Sequence, residues 1–172
     1  MDENDKPDIP GAERCDIPII RYENENLFFE CNTNGVKFVT NITDDDIKKH
    51  YDSTIPLTAT YNISVYATKS GYNNSETATA TLCWIDVNPK TEGIENSIAN
   101  IRAKAVLIQS NRSSLDFSGA DAGTPITIYD TAGRLVASAK ASSGSTIIGT
   151  SLNTGDIAIV KIGDKTVKVV VK

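Results

Sequence analysis

Short apolar–polar alternations punctuated by turn residues run along most of this chain. In Tyr61 to Lys69, Tyr61, Ile63, Val65 and Ala67 share one face, while Asn62, Ser64, Tyr66 and Thr68 share the other. That period of two is what a half-buried strand requires. The same reading predicts strands over Ile17 to Tyr22, Leu27 to Cys31, Val36 to Thr40, Pro56 to Tyr61 and Thr77 to Ile85. In the last of these, Ala78, Ala80, Leu82 and Trp84 point inward and the threonines outward. A second set covers Arg102 to Gln109, Ser114 to Ser118, Pro125 to Asp130, Arg134 to Ala141, Thr146 to Ile148, Ile157 to Ile162 and Thr166 to Lys172. Turn signals such as Glu23-Asn24-Glu25-Asn26, Asp130-Thr131-Ala132-Gly133 and Gly163-Asp164 separate them.

Closely spaced strands with turns between them predict an all-β protein made of two small immunoglobulin-like β-sandwich domains in tandem. The expected organisation is a flexible leader over 1–11, a first sandwich over 12–87, a linker over 88–100 and a second sandwich over 101–172. The leader is acidic with two prolines, and Asn88-Pro89-Lys90-Thr91-Glu92-Gly93 breaks the first strand set. One exception to the β pattern is expected inside the first domain. In Thr43-Asp44-Asp45-Asp46-Ile47-Lys48-Lys49-His50 a threonine precedes three acids and the cations follow. That order suits a short helix, capped by Thr43 and carrying charge that complements its dipole, rather than a calcium loop.

Charge changes the picture between the halves. The net charge is −5, yet 12–87 is acidic and 101–172 is basic. An acidic first half argues against a nucleic-acid partner. The basic half spaces Lys161, Lys165, Lys168 and Lys172 along its strands, where lysine keeps sheet edges from pairing with other sheets. No apolar run approaches the length that spans a bilayer. No secretory signal is legible after Met1, so an exported protein would be a mature or truncated form.

Candidate chemistry is sparse. His50 is the one histidine, set in a charged segment with no nucleophile beside it. No phosphate-cradling glycine motif is present, and the absence of CxxC argues against zinc. No catalytic residue, metal or cofactor is expected, and the protein is not expected to be an enzyme. The three cysteines, Cys15, Cys31 and Cys83, permit one disulfide plus one thiol, or three thiols. Cys31 alternates with Leu27 and Phe29 and is expected to be buried. Cys15 and Cys83 open and close the first domain, so any disulfide is expected to link these two. Tyr66 and Tyr72 are expected to be exposed and are the candidate stacking surface for a glycan, whereas Trp84 is expected to fill the core.

Two resemblances sharpen these expectations. Gly35-Val36-Lys37-Phe38-Val39, Ile55-Pro56-Leu57-Thr58 and Tyr61 through Ser75 together resemble the chitobiase/β-hexosaminidase C-terminal type of immunoglobulin-like domain. The most specific part reads Ala67-x-Lys69-x-Gly71-Tyr72-x-x-Ser75. The resemblance departs at Asn41 to Asp46, where a T-x-D-G-x-x-P pattern is replaced. Members of that family are non-catalytic accessories. Ile126-x-Ile128-Tyr129-Asp130-x-x-Gly133-Arg134, then Leu152-x-x-Gly155, then Val160-Lys161-Ile162 and Val167 to Lys172 resemble the type A C-terminal sorting domain of Bacteroidetes secreted proteins. It departs at the G-x-Y step, which reads Gly155-Asp156-Ile157 here. The pair implies a spacer plus an export and attachment module of a secreted or outer-membrane cell-surface protein. The expected partner is the outer-membrane secretion machinery or a surface glycan, and the protein is expected to be a monomer that does not span the membrane.

Overall fold

The computed structural model describes residues 7–44, 60–87 and 102–172. Within them the chain is all-β, with no helix, and its sheets form a sandwich-like arrangement. The strands are β1 (Ile19–Glu23), β2 (Asn26–Glu30), β3 (Lys37–Asp44), β4 (Tyr61–Thr68), β5 (Ala78–Val87) and β6 (Arg102–Asn111). They continue as β7 (Ser114–Ser118), β8 (Pro125–Tyr129), β9 (Leu135–Lys140), β10 (Ser145–Gly149), β11 (Ile157–Ile162) and β12 (Lys165–Val170). The described residues fall in two compact units, 7–44 with 62–80, and 60–61 with 81–87 and 102–172. The expected linker at 88–100, most of the expected strand at Pro56 to Tyr61, and His50 lie outside the described residues.

In the first unit β1 and β2 form an antiparallel hairpin in which Ile20 faces Phe29. Its turn places Asn24 and Glu25 at φ of 49° and 62°. Positive φ at both central positions is the mirror-image turn whose twist matches that of paired strands. Leu27 and Phe29 are half-buried and Phe28 is exposed, as the alternation requires, and Phe29 packs against Phe38 of β3 with ring centroids 6.1 Å apart. β3 continues through Asp44. Thr43 and Asp44 therefore belong to a strand rather than to the start of the expected helix, whose remaining residues lie outside the described ones.

Along β4, Tyr61, Ile63, Val65 and Ala67 are all buried, on the face the pattern assigned to the core. β5 departs from its pattern. Every residue from Ala80 to Ile85 is buried, including Thr81, which the alternation places outward. A strand covered on both faces cannot show a polar side, and only the small side chain of threonine lets an alternating sequence occupy one.

The second unit is a two-layer sandwich. One sheet has the order β10-β7-β6-β5 and the other β12-β11-β8-β9. Cys83, Ile85, Val106, Ile108, Leu115 and Phe117 of the first meet Ile126, Ile128, Val160, Ile162, Val167 and Val169 of the second in one apolar core. Phe117 is the one aromatic among those core residues, so β-branched side chains do the filling. Each such side chain contributes about 1.5–3 kcal/mol when fully buried. Trp84 is buried and meets Tyr61 edge-on at 6.1 Å, as expected for a core aromatic.

β12 pairs with β11 across the Gly163-Asp164 turn, Val167 opposite Val160. Beyond it the Val171 amide donates to Asp156 O at 2.8 Å and the Lys172 amide donates to Ser110 Oγ at 2.8 Å. The last residues are thus tied to both sheets. The exposed Lys161 stands on the inner strand β11, while Lys168 is exposed and Lys165 half-buried on β12, the edge strand, with Lys172 half-buried just beyond it. Lysines there protect an unpaired edge.

Candidate functional site

The first unit contains a cleft of about 300 Å³ where the loop after β4 meets the segment from Pro7 to Arg14. Both candidate tyrosines line it, together with Arg14, Lys69, Asp8 and Asn73. Local sequence explains its wall. The Tyr72 amide donates to Lys69 O at 3.1 Å, closing a tight turn through Ser70-Gly71. Ser75, almost fully buried, then clasps the end of β4. Its Oγ accepts from the Ala67 amide and donates to Glu76 O, both at 2.8 Å, while its own amide donates to Ala67 O at 2.9 Å. The Lys69 ammonium lies 4.3 Å from the centre of the Tyr72 ring, a cation–π contact.

Asn73 builds the opposite wall. Its Oδ1 accepts from the Ile9 amide at 2.6 Å, and its Nδ2 donates to Ile9 O at 3.3 Å and Ala12 O at 3.1 Å. Its backbone amide donates to Glu13 O at 2.7 Å, and its carbonyl accepts from the Cys15 amide at 2.9 Å. The segment expected as a flexible leader is therefore anchored from Ile9 onward. Arg14 completes this wall by pairing with Asp8 and donating to Asn74 O at 2.7 Å.

The two tyrosines do share one cleft, but they do not form an exposed pair. Tyr66 is buried at 8% exposure, and Tyr72 is half-buried with the Lys69 ammonium against its ring. Their expected exposure fails for Tyr66 because the segment from Pro7 to Arg14 lies near it, although Asn62 on the same face stays exposed. Arg14 and Asn73 were not legible as cleft residues. They meet across about sixty residues of chain, and neither stands in a motif that signals the meeting.

The cysteines take the three-thiol state of the two expected, and Cys31 departs from its expected burial. Cys15, Cys31 and Cys83 are all free thiols, so the Cys15–Cys83 link is not formed. Cys31 is half-buried rather than buried, and Cys83 sits in the apolar core of the second unit. Burial pushes the Cys15 thiol pKa up, and the neighbouring Cys31 pushes it further the same way. Among the described residues, no three His, Cys, Asp or Glu side chains gather as metal ligands, and no helix is long and apolar enough to cross a membrane.

In the second unit the Tyr129-Asp130-x-x-Gly133-Arg134 motif is a self-bonded turn. Asp130 Oδ1 accepts from the Ala132 and Arg134 amides at 2.9 Å, and Oδ2 accepts from Arg134 Nε at 2.7 Å. These hydrogen bonds, the Arg134 amide foremost, hold the Asp130 pKa below the usual carboxylate value. The lowered pKa means that the charged form stabilises the fold above the unfolded-state pKa, and that this contribution disappears as pH falls through the folded-state pKa. Asp130→Asn should therefore melt below wild type at neutral pH, and the gap should close in acid. A gap that is unchanged across an acid titration of the melting temperature would refute this role.

No family model matches the chain, and neither a curated protein nor a solved structure matches it.

Proposed function

We propose that this chain is a non-catalytic accessory region of a secreted or surface-attached bacterial protein, acting as a spacer joined to an export and attachment module. One observation carries the reading. The residues that most distinguish both halves of the sequence are spent on holding the fold. Ser75 clasps Ala67, Lys69 covers Tyr72, and Asp130 binds its own turn and Arg134. Residues so engaged make rigid small modules, which suits parts that space and carry a neighbour rather than transform a substrate.

A glycan-binding reading has one observation in its favour, the meeting of Tyr66 and Tyr72 in a cleft with Arg14 and Lys69. It offers one partly covered ring rather than a stacking platform, so the spacer reading takes precedence. A single experiment separates the two. A reporter placed upstream of the chain, in a bacterium with the type 9 secretion apparatus, should become accessible to protease on whole cells, while the reporter alone stays in the periplasm. A reporter that stays in the periplasm with the chain attached overturns the export half. Retention of the chain on an immobilised glycan, lost in Tyr72→Ala, would replace the spacer half with the binding reading.

A further inference from the structure

The first unit holds two cysteines that the accessory reading does not use. Cys15 is buried on the segment leading into β1, and Cys31 is half-buried directly after β2. The two segments lie side by side. The Asp16 amide donates to Thr33 Oγ1 at 2.9 Å, and the Thr33 hydroxyl donates to Asp16 Oδ2 at 3.1 Å. The Cys31 thiol itself donates to the Asp16 carbonyl oxygen at 3.3 Å. The residue next to Cys15 in the chain therefore holds the Cys31 sulfur from across the base of the hairpin. Burial raises the Cys15 thiol pKa, and the neighbouring Cys31 raises it further. Cys83 is in a different setting, fully buried among the aliphatic side chains of the second unit.

We propose that Cys15 and Cys31 form an intramolecular disulfide under oxidising conditions, leaving Cys83 a thiol. The inference stands whether or not the chain is exported. The half-exposed Cys31 is the first nucleophile. It loses its proton and attacks one sulfur of a small-molecule disulfide, forming a mixed disulfide as the oxidant's S–S bond breaks and one thiolate leaves. Cys15, once deprotonated, attacks the Cys31 sulfur, forms the internal S–S bond and expels the second thiolate. The protein gives up two protons and two electrons, and the oxidant is reduced to two thiols. Resolution by Cys15 is the slow step near neutral pH, because burial keeps that thiol protonated, and it accelerates as pH rises.

The link has a structural consequence. Cys15 is bonded through its amide to Asn73, beside Tyr72 in the cleft wall. Joining it to Cys31 ties the β1–β2 hairpin covalently to the segment that lines the cleft. Closing a loop of this size restricts the unfolded chain, and the melting temperature of the oxidised protein should rise by on the order of 10 °C.

The test uses the full chain equilibrated with glutathione mixtures from fully reduced to fully oxidised, then alkylated, digested without reductant and weighed by mass spectrometry. The expected product joins the Cys15 and Cys31 peptides, with Cys83 alkylated only after unfolding. Cys83→Ser should keep the product and the rise in melting temperature, and Cys31→Ser should abolish both. A Cys15–Cys83 peptide, cross-linked dimers alone, or three alkylated thiols at the most oxidising mixture would each overturn the proposal.

Discussion

Replacing Gly119 with alanine should cost at least about 3 kcal/mol and lower the melting temperature of the second unit by roughly 12 °C or more. Gly119 follows β7 at φ 99°, and a Cβ there would run into the carbonyl oxygen of Ala105 on β6. That oxygen belongs to the backbone of a strand held between neighbours in the sheet, so it cannot swing aside as a side chain would. Relief requires moving β6 or the turn, which disturbs the core positions Val106 and Phe117 on either side. Gly144→Ala is the matched control. Its φ is 97°, but nothing lies within 4 Å of the added carbon. It carries only the conformational cost of a positive φ, about 1–2 kcal/mol. Thermal and urea melts of the two variants should differ accordingly, and equal losses would show that conformation, rather than the contact with Ala105, sets the requirement for glycine.

The second large effect is expected at Asn73. Asn73→Ala removes three side-chain hydrogen bonds to the backbone of Ile9 and Ala12. Losing several bonds from one buried side chain should cost about 2–4 kcal/mol, less whatever water recovers at the exposed strap. Local release should be more visible than global loss. With the strap from Pro7 to Ala12 freed, proteases should trim it and the amide of Ile9 should exchange much faster. Asn73→Asp retains the acceptor for the Ile9 amide but lacks both donors, and it brings a second carboxylate toward Asp8. It should fall between wild type and alanine at low pH and approach alanine at neutral pH. Hydrogen exchange that leaves Ile9 protected in Asn73→Ala would mean that Arg14 and the backbone of Asn73 hold the strap by themselves.

Much of the fold was legible because strand alternation is local. Tyr61, Ile63, Val65 and Ala67 announce a core face through spacing alone, and all four are buried. The strands Ser114–Ser118 and Ile157–Ile162 have the bounds that their flanking turn residues predict. Turn chemistry is equally local. Asp130 reaches only as far as Arg134, so the motif and its role can be read together. The candidate site was only half legible. Tyr66 and Tyr72 were brought to one cleft, but a period of two states which residues share a face and not whether that face is covered. Tyr66 is buried for a reason the strand itself does not contain.

Local patterning is enough to set the all-β character, most strand positions, the core face of β4 and the turns between neighbouring strands. Each of these depends on residues a few positions apart. The packed fold alone settles that Asn73 anchors the strap at Ile9, that the Cys31 thiol bonds to Asp16 next to Cys15, and that Cys83 and Ile85 enter the core of the second unit. Those choices depend on which segments meet. From Ala80 to Ile85 both faces of β5 carry residues small or apolar enough to bury, so composition leaves the choice of face open. Packing resolves it, because burying both faces removes more apolar surface from water than burying either one.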